Sequence, residues 1–264
     1  MRARLIVVVA VMAVVGGACG GSSGAGSADL AKLVSDATSK TRESSARLAM
    51  DVTATSPQFP NPVHITASGA FENSDQRGLM KMRIPDLTGS GQAPKQLEIR
   101  VIGTKVYAMV PGLGSSDKPW IETDASTFGA QSGSFGSSDP SQFLDYLKGA
   151  SNNIRDEGDD TVRGVHTRKL GVQLDLRKAV ASLGEQQRQA VEQAIQQLGT
   201  SSIPAEVWID GQGRLRKMEF SLHLQKGGQQ ADISLSLEMF DFGVQVNVQP
   251  PPRSQVSQSG LGGL

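Results

Sequence analysis

The chain has 264 residues, enough for one large domain or two small ones with a sizeable core. Hydrophobic residues make up 38 % of the chain and charged residues 20 %, a balance typical of a globular protein. Basic and acidic residues number 26 each, so the formal net charge is zero, and aromatic residues make up only 5 %. Without a basic excess or many aromatic side chains for base stacking, we expect no nucleic-acid partner.

The N-terminus has the pattern of a bacterial export signal. Arg2 and Arg4 precede an apolar run over residues 5–15, which is shorter than the ~20 residues that a bilayer-spanning helix needs. Small residues at 16–18 lead into Cys19, the single cysteine of the chain, as in a lipobox. The sequence therefore predicts cleavage after residue 18 and lipidation of Cys19. The alternative is an ordinary secretory signal and an incidental thiol, because Gly16 stands where a lipobox usually has an aliphatic residue.

Residues 19–28 are rich in glycine and serine, so they are predicted to form a flexible tether behind the lipidated cysteine. Removal of residues 1–18 takes away two arginines and no acid, which leaves the mature chain with a net charge of −2. Residues 20–24 also match the G-x-S-x-G pattern of a hydrolase nucleophile. That motif needs a strand before it and a helix after it, and a glycine-serine tether supplies neither.

The folded region begins with a predicted helix at Asp29, whose carboxylate can cap the free N–H groups. A period of two then replaces the helical period, which predicts half-buried antiparallel strands. The alternating stretches are 47–54, 63–71, 80–84, 97–101 and 105–110, followed by a short strand at 120–121. Residues 129–138 are again rich in glycine and serine, and both a mobile lip at a cavity entrance and an inert connector fit that composition.

A short helix capped by Ser138 or Asp139 is predicted, with Pro140 in its first turn, and strands are predicted again at 162–165 and 168–176. The longest predicted helix runs from Leu176 to Leu198. It has an apolar stripe on one side and a glutamine-rich, solvent-exposed side. Three further strands follow within 205–239. These elements predict one α+β domain over residues 29–248, with about nine to eleven strands and three helices, and a disordered tail over 249–264.

No catalytic or metal-binding pattern emerges. The three histidines, His64, His166 and His223, are far apart and form no ligand motif, so no metal and no cofactor are expected. The acidic run over 156–160 lacks the spacing of a calcium loop and is interpreted as a solvated turn. The sequence therefore favours a protein without enzymatic activity, with an unrecognised hydrolase as the weakest alternative.

Three stretches carry a resemblance to a known family: 103–111 with 118–121, 167–176 running into the long helix, and 204–217. They are strand-and-turn patterns rather than catalytic motifs. Together with the cysteine signal, they make the chain similar to the actinobacterial LppX/LprA/LprF/LprG lipoproteins, which have a LolA-like fold. The resemblance implies a curled antiparallel half-barrel with helices over its concave face, and between them an apolar cavity for lipid acyl chains. It also implies a location on the extracytoplasmic side of the cell membrane.

All six methionines of the mature chain fall in predicted strands, and methionine adapts to variable apolar shapes. They are either ordinary core fillers or part of a lipid-binding surface, and the resemblance favours the second interpretation. The predicted cavity residues are Leu48, Met50, Val52, Met80, Met82, Leu97, Ile99, Val101, Met218, Phe220 and Leu222. The predicted function is binding of an acylated lipid or glycolipid, with transfer as an extension. The alternative is an envelope sensor or scaffold that contacts another protein.

Overall fold

The computed structural model describes residues 27–257, except 58–60, 73, 75, 86–92, 113, 126, 129–152, 180–187, 190–191, 193–194, 197–198 and 227–228. Two α-helices are described, α1 Ser27–Arg42 and α2 Leu176–Ala179. The strands are β1 Ala46–Thr55, β2 Val63–Glu72, β3 Arg77–Ile84, β4 Lys95–Ile102, β5 Lys105–Met109, β6 Trp120–Asp124, β7 Arg155–Val162, β8 Val165–Asp175, β9 Ser202–Asp210, β10 Leu215–Lys226, β11 Gln229–Phe240 and β12 Val256–Ser257.

The strands form one sheet in the order β12-β6-β5-β4-β3-β2-β1-β11-β10-β9-β8-β7. Every neighbouring pair is antiparallel except β12 and β6, which are parallel. The sheet is large and curled, and it does not close on itself within the described residues, since β12 and β7 lie at its two edges. The sequence predicted the antiparallel class and all the central strands, because their polar and apolar residues alternate clearly.

The acidic run differs from the prediction, because it is an edge strand and not a turn. Strand β7 pairs with β8 along its length, and the hairpin turns at Arg163-Gly164, where both residues have positive φ. All of β7 except Val162 is exposed. Its acids face basic residues across the ladder, with Glu157 Oε2 at 3.2 Å from Lys169 Nζ. Cross-strand charge pairing therefore allows a sequence without apolar alternation to form a strand.

Helix α1 packs on the apolar face of the sheet through Leu30, Val34 and Ala37. The sequence predicted further helices over this face. The predicted short helix with Pro140 in its first turn and the loop 129–138 lie outside the described residues. The long helix begins at Leu176 as predicted, and much of its remainder also lies outside them.

The chain from residue 241 to residue 257, here called the C-terminal strap, is held at both ends. Near its start, Ser45 Oγ donates a hydrogen bond to the Val244 carbonyl at 2.6 Å. Near its end, Arg100 Nη1 donates to the Gln249 carbonyl at 2.9 Å, and β12 pairs with β6. The sequence predicts disorder from residue 249, because prolines and small residues dominate there. The order observed up to Ser257 comes instead from apolar residues such as Val256, which is only 9 % exposed.

Candidate functional site

The strand register places all eleven predicted cavity residues on one face of the sheet. Residues that are directly opposite each other in neighbouring strands point to the same side. Leu48, Met50 and Val52 of β1 oppose Met239, Leu237 and Leu235 of β11. The register then continues along the same rows to both sides. On one side it reaches Met80, Met82, Leu97, Ile99 and Val101, and on the other Met218, Phe220 and Leu222. We call this side of the sheet the apolar face.

In β1, β10 and β11, burial on the apolar face falls along the strand. At one end of β1 and β10, Leu48 and Met218 are each 2 % exposed. Further along the same strands, Met50, Val52, Phe220 and Leu222 are only half-buried. Met80, Met82, Leu97 and Val101 are also half-buried, so eight of the eleven predicted residues retain part of their surface. We call the well-covered part the closed end and the half-buried part the open end.

The apolar face contains residues that the sequence prediction did not include. Strand β11 contributes Ile233, Leu235, Leu237 and Met239, which lie in the middle of the face because β11 separates β1 from β10. Their alternation was visible in the sequence, but the position of β11 next to β1 was not. Conversely, Met109 opposes Glu98 and lies on the other side of the sheet. Five of the six strand methionines therefore share the apolar face, and Met109 does not.

Two clusters of buried side chains lie along this face. The larger one joins α1 to β1, β2 and β8–β11 and contains most of the closed end, including Leu170, Val207 and Leu215. The smaller one is formed by β4, β5 and β6 around Val106 and Ala108, together with Phe128. Met80, Leu97 and Val101 pack against its border and are only half-buried. Part of the open end therefore lies between these two clusters of buried side chains.

One turn supports the closed end. Asp210 ends β9, and its carboxylate, 2 % exposed, accepts hydrogen bonds from Arg214 Nε at 3.0 Å and Arg216 Nε at 2.8 Å. Burial alone would raise the pKa of Asp210. The backbone N–H of Arg214 and the two guanidinium groups outweigh burial and hold the pKa below its ordinary value. The same turn also contacts α1, since Lys40 Nζ donates a hydrogen bond to the Gln212 carbonyl at 3.2 Å.

The opposite side of the sheet, here called the outer face, is polar. On it Lys169 and Lys217 lie over the Trp208 ring, at 5.2 and 4.6 Å from its centroid. The Trp208 Nε1 donates to Asp160 at 2.7 Å, and this bond is the main reason that the pKa of Asp160 is lowered. The hydrogen bond from Lys169 to Glu206 raises the pKa of Lys169. These contacts form a salt-bridged surface on the outer face.

The histidines do not assemble into a site. His64 and His166 are exposed, and His223 Nδ1 pairs with Asp232 across the β10–β11 ladder at 2.5 Å. Among the described residues, no group of three or more histidine, cysteine, aspartate or glutamate side chains is placed to hold a metal ion. Within the same part of the chain, no helix has both the length and the apolar character needed to cross a membrane. Cys19 lies outside the described residues.

The described residues thus form a curled, open antiparallel sheet with one polar face and one apolar face that is only partly buried. The family model described as LppX_LprAFG lipoprotein matches residues 29–248. The chain belongs to this lipoprotein family, which confirms the resemblance found in the sequence. The family consists of lipid-binding, membrane-anchored envelope proteins rather than enzymes.

Solved structures of two mycobacterial lipoproteins are among those similar to this chain. The crystal structure of lipoprotein LppX from Mycobacterium tuberculosis has 17% sequence identity and a TM-score of 0.50, and the match covers 83% of this chain and 98% of that chain. The crystal structure of LprF from Mycobacterium bovis has 16% identity and a TM-score of 0.47, covering 84% of this chain and 96% of that one. A comparison with curated protein sequences gives no match.

Proposed function

We propose that the protein binds an acylated lipid or glycolipid on the apolar face, with the acyl chains against the open end. The observation that carries this proposal is the uneven burial of one continuous apolar face. Leu48 and Met218 at the closed end are packed as in an ordinary core. Met50 and Met82, in the same cross-strand row as Met218, are half-buried, and so is Phe220 further along β10. An ordinary interior is close-packed, so apolar side chains left half-buried in a continuous row mark a surface that can take further apolar groups.

The binding energy would come from apolar contact. Each CH₂ group removed from water contributes ~0.8 kcal/mol, so two acyl chains can be held without a strong polar anchor. Methionine suits such a surface because its unbranched thioether side chain adapts to ligands of different outline. Met50, Met80 and Met82 all lie at the open end. The proposal includes the predicted helices as the cover over the concave side, which would turn the open end into a cavity.

In this proposal Cys19 carries the lipid anchor and the folded domain stands on the extracytoplasmic side of the cell membrane. Because α1 already begins at Ser27, the proposed tether is shortened to residues 19–26. It would give the domain freedom to approach the bilayer from which it takes its ligand. Transfer of the lipid to a second site is the natural extension, since a bound acyl chain is shielded from water during movement. No chemical step is involved.

Tryptophan substitutions test the open end. Met82→Trp and Leu222→Trp place a large ring on the half-buried part of the face. We expect each to change the free energy of unfolding by less than ~1 kcal/mol, because the ring enters space that is not filled by protein. Both variants should lose the lipid that co-purifies with the wild-type protein, as measured by organic extraction and mass spectrometry.

Two matched tryptophan variants provide the controls. Leu170→Trp, at a fully buried position of the closed end, should be destabilised by ~1–3 kcal/mol or more through overpacking. Ser221→Trp, on the outer face next to Leu222, should retain both stability and lipid. If Met82→Trp is destabilised like Leu170→Trp and still carries lipid, the carrier function is wrong. A protein partner captured by a wild-type protein that holds no lipid would favour the sensor or scaffold alternative.

The anchor has its own test. Cys19→Ala removes the thiol that would accept the diacylglyceryl group. We expect an unprocessed precursor, or a form released from the membrane fraction, when cells are fractionated. A Ser22→Ala variant in the same tether should be processed and retained like the wild type. A Cys19→Ala protein that is cleaved normally and remains membrane-bound would contradict lipidation without affecting the proposal for the apolar face.

A further inference from the structure

A second concave feature lies on the outer face, directly behind the open end. It is a surface cavity of about 220 Å³ that spans the middle strands β2, β3 and β4. The backbone of Ala67, Met82 and Leu97 forms the row at the middle of this cavity, and the side chains of these residues lie on the apolar face. The volume is below the ~300 Å³ at which pockets for drug-sized ligands begin, so the cavity fits a small group.

The side chains that line this cavity are mostly hydrogen-bond donors. Each position opposes another in the ladder: Thr66 opposes Arg83, Ser68 opposes Lys81, and Arg83 opposes Gln96. All five of these side chains belong to exposed residues. Two cations two residues apart on one strand, flanked by two hydroxyl groups and an amide, form a set suited to an oxyanion. The apolar Met109 completes the lining.

The one acid in the lining, Glu98, does not cancel this charge. Its carboxylate is already bound by Arg100, whose Nε lies 2.8 Å from Glu98 Oε1. The Lys81 Nζ is 3.9 Å from the other oxygen, at the limit of an ion pair, and its side chain is 64 % exposed. Arg83 has no ion pair with any described residue. Together, Lys81, Arg83, Glu98 and Arg100 carry two net positive charges at this place.

We propose that this cavity is a binding site for a phosphate-type oxyanion, held by Lys81 and Arg83 with Thr66, Ser68 and Gln96 as hydrogen-bond donors. The guanidinium of Arg83 can bind two oxygens at once, and the ammonium of Lys81 supplies a second, adjustable charge. The oxyanion is either a free phosphate ester or the phosphate of a lipid headgroup at a membrane surface. The site lies on the face opposite the proposed acyl-chain surface and does not depend on that function.

The test uses the purified protein with two probes, inorganic phosphate and phosphatidylcholine vesicles with or without phosphatidylglycerol. With phosphate, the amide NMR signals of Ser68, Met82 and Leu97 should shift in a saturable way. With vesicles, co-sedimentation should increase when phosphatidylglycerol is present. Lys81→Gln/Arg83→Gln should weaken the response by about tenfold or more, because two charge-assisted contacts are removed.

The control is Arg47→Gln/Lys105→Gln, which removes the same charge elsewhere on the outer face, at positions that pair with Asp241 and Asp124. If inorganic phosphate shifts the NMR signals of the wild type and of this control, but much less those of Lys81→Gln/Arg83→Gln, the site binds free phosphate esters. A response to phosphatidylglycerol vesicles alone, also retained by the control, supports a lipid headgroup as the source. Equal losses in both double variants would show diffuse charge attraction and overturn the proposal, as would the absence of any response. Lipid extraction in parallel reports on the apolar face separately.

Discussion

The closed and open ends of the apolar face have the same chemistry and differ in cover. Both are built from leucine, valine, isoleucine and methionine in the same strands and the same rows. At the closed end α1 lies across the sheet and Leu48, Met218 and Met239 are each 2 % exposed. At the open end, Met50 and Met82 are half-buried. The alternation of apolar residues along the strands therefore determines which face of the sheet is apolar. The position of α1 determines which part of that face becomes a buried core.

This difference assigns separate tasks to the two ends. The closed end provides the stability of the fold, since its side chains are buried and close-packed. The open end can then remain incompletely filled without unfolding the sheet. Gly69 contributes to the shape between them, because a Cβ at this position would overlap the Leu79 carbonyl oxygen of the neighbouring strand. A side chain there would prevent the close approach of β2 and β3.

The largest expected effect comes from the turn that supports the closed end. Asp210→Asn leaves the guanidinium groups of Arg214 and Arg216 without their buried carboxylate. We expect a loss of ~3–5 kcal/mol in the free energy of unfolding, measured by urea titration, because one partner of a buried ion pair is removed. Asp156→Asn is the matched control: its pair with Arg168 is exposed, so the loss should be ~1 kcal/mol or less.

Asp210 also predicts a pH dependence. Its pKa in the folded protein is below the ordinary value of 3.8, so the charged form stabilises the fold at neutral pH. This contribution is lost as the pH falls below the ordinary value and through the folded-state pKa. The acid side of the wild-type stability profile should therefore be steeper than that of Asp210→Asn. Two parallel profiles would show that Asp210 does not contribute in this way.

A methionine pair compares the two ends directly. Met218 and Met82 are the same residue type on the same face, one 2 % exposed and the other half-buried. Met218→Ala should cost ~2–5 kcal/mol, because it removes buried methylene groups and leaves a cavity. Met82→Ala should cost less than ~1 kcal/mol, since much less of its surface is removed from water. Equal losses in thermal or urea unfolding would mean that the open end is packed as tightly as the closed end.

The sequence was sufficient to predict the apolar face because that face depends on local alternation. The eleven predicted residues lie on one side because each strand keeps its period of two. Their distribution between closed and open ends could not be predicted, since it depends on where α1 docks. The pairing of β11 with β1 could not be predicted from the sequence either. The two strands are almost 200 residues apart, and the local sequence of a strand does not specify which strand it pairs with.

The missed elements have a different physical origin. Strand β7 has no apolar alternation and is held by cross-strand charges, such as Glu157 with Lys169. The C-terminal strap contains a run of prolines, which predicts disorder, yet it is held by an Arg100 hydrogen bond and by the buried Val256. In both cases distant partners supply the order, and a local pattern cannot reveal them. The cavity on the outer face was also missed, since its donors come from three separate strands.

A smaller effect than those at Asp210 and Met218 is expected at a contact between α1 and β10. Thr41 of α1 is fully buried, and its Oγ accepts a hydrogen bond from the Leu215 N–H at 2.8 Å. Thr41→Val keeps the shape but leaves that buried N–H unpaired, so a loss of ~1–3 kcal/mol in unfolding free energy is expected. Thr38→Val is the control, because the Thr38 Oγ donates only to the Val34 carbonyl within the same helix. Hydrogen exchange of the Leu215 amide should accelerate in Thr41→Val alone. If the exchange rate is unchanged, α1 is held by its apolar contacts and not by this hydrogen bond.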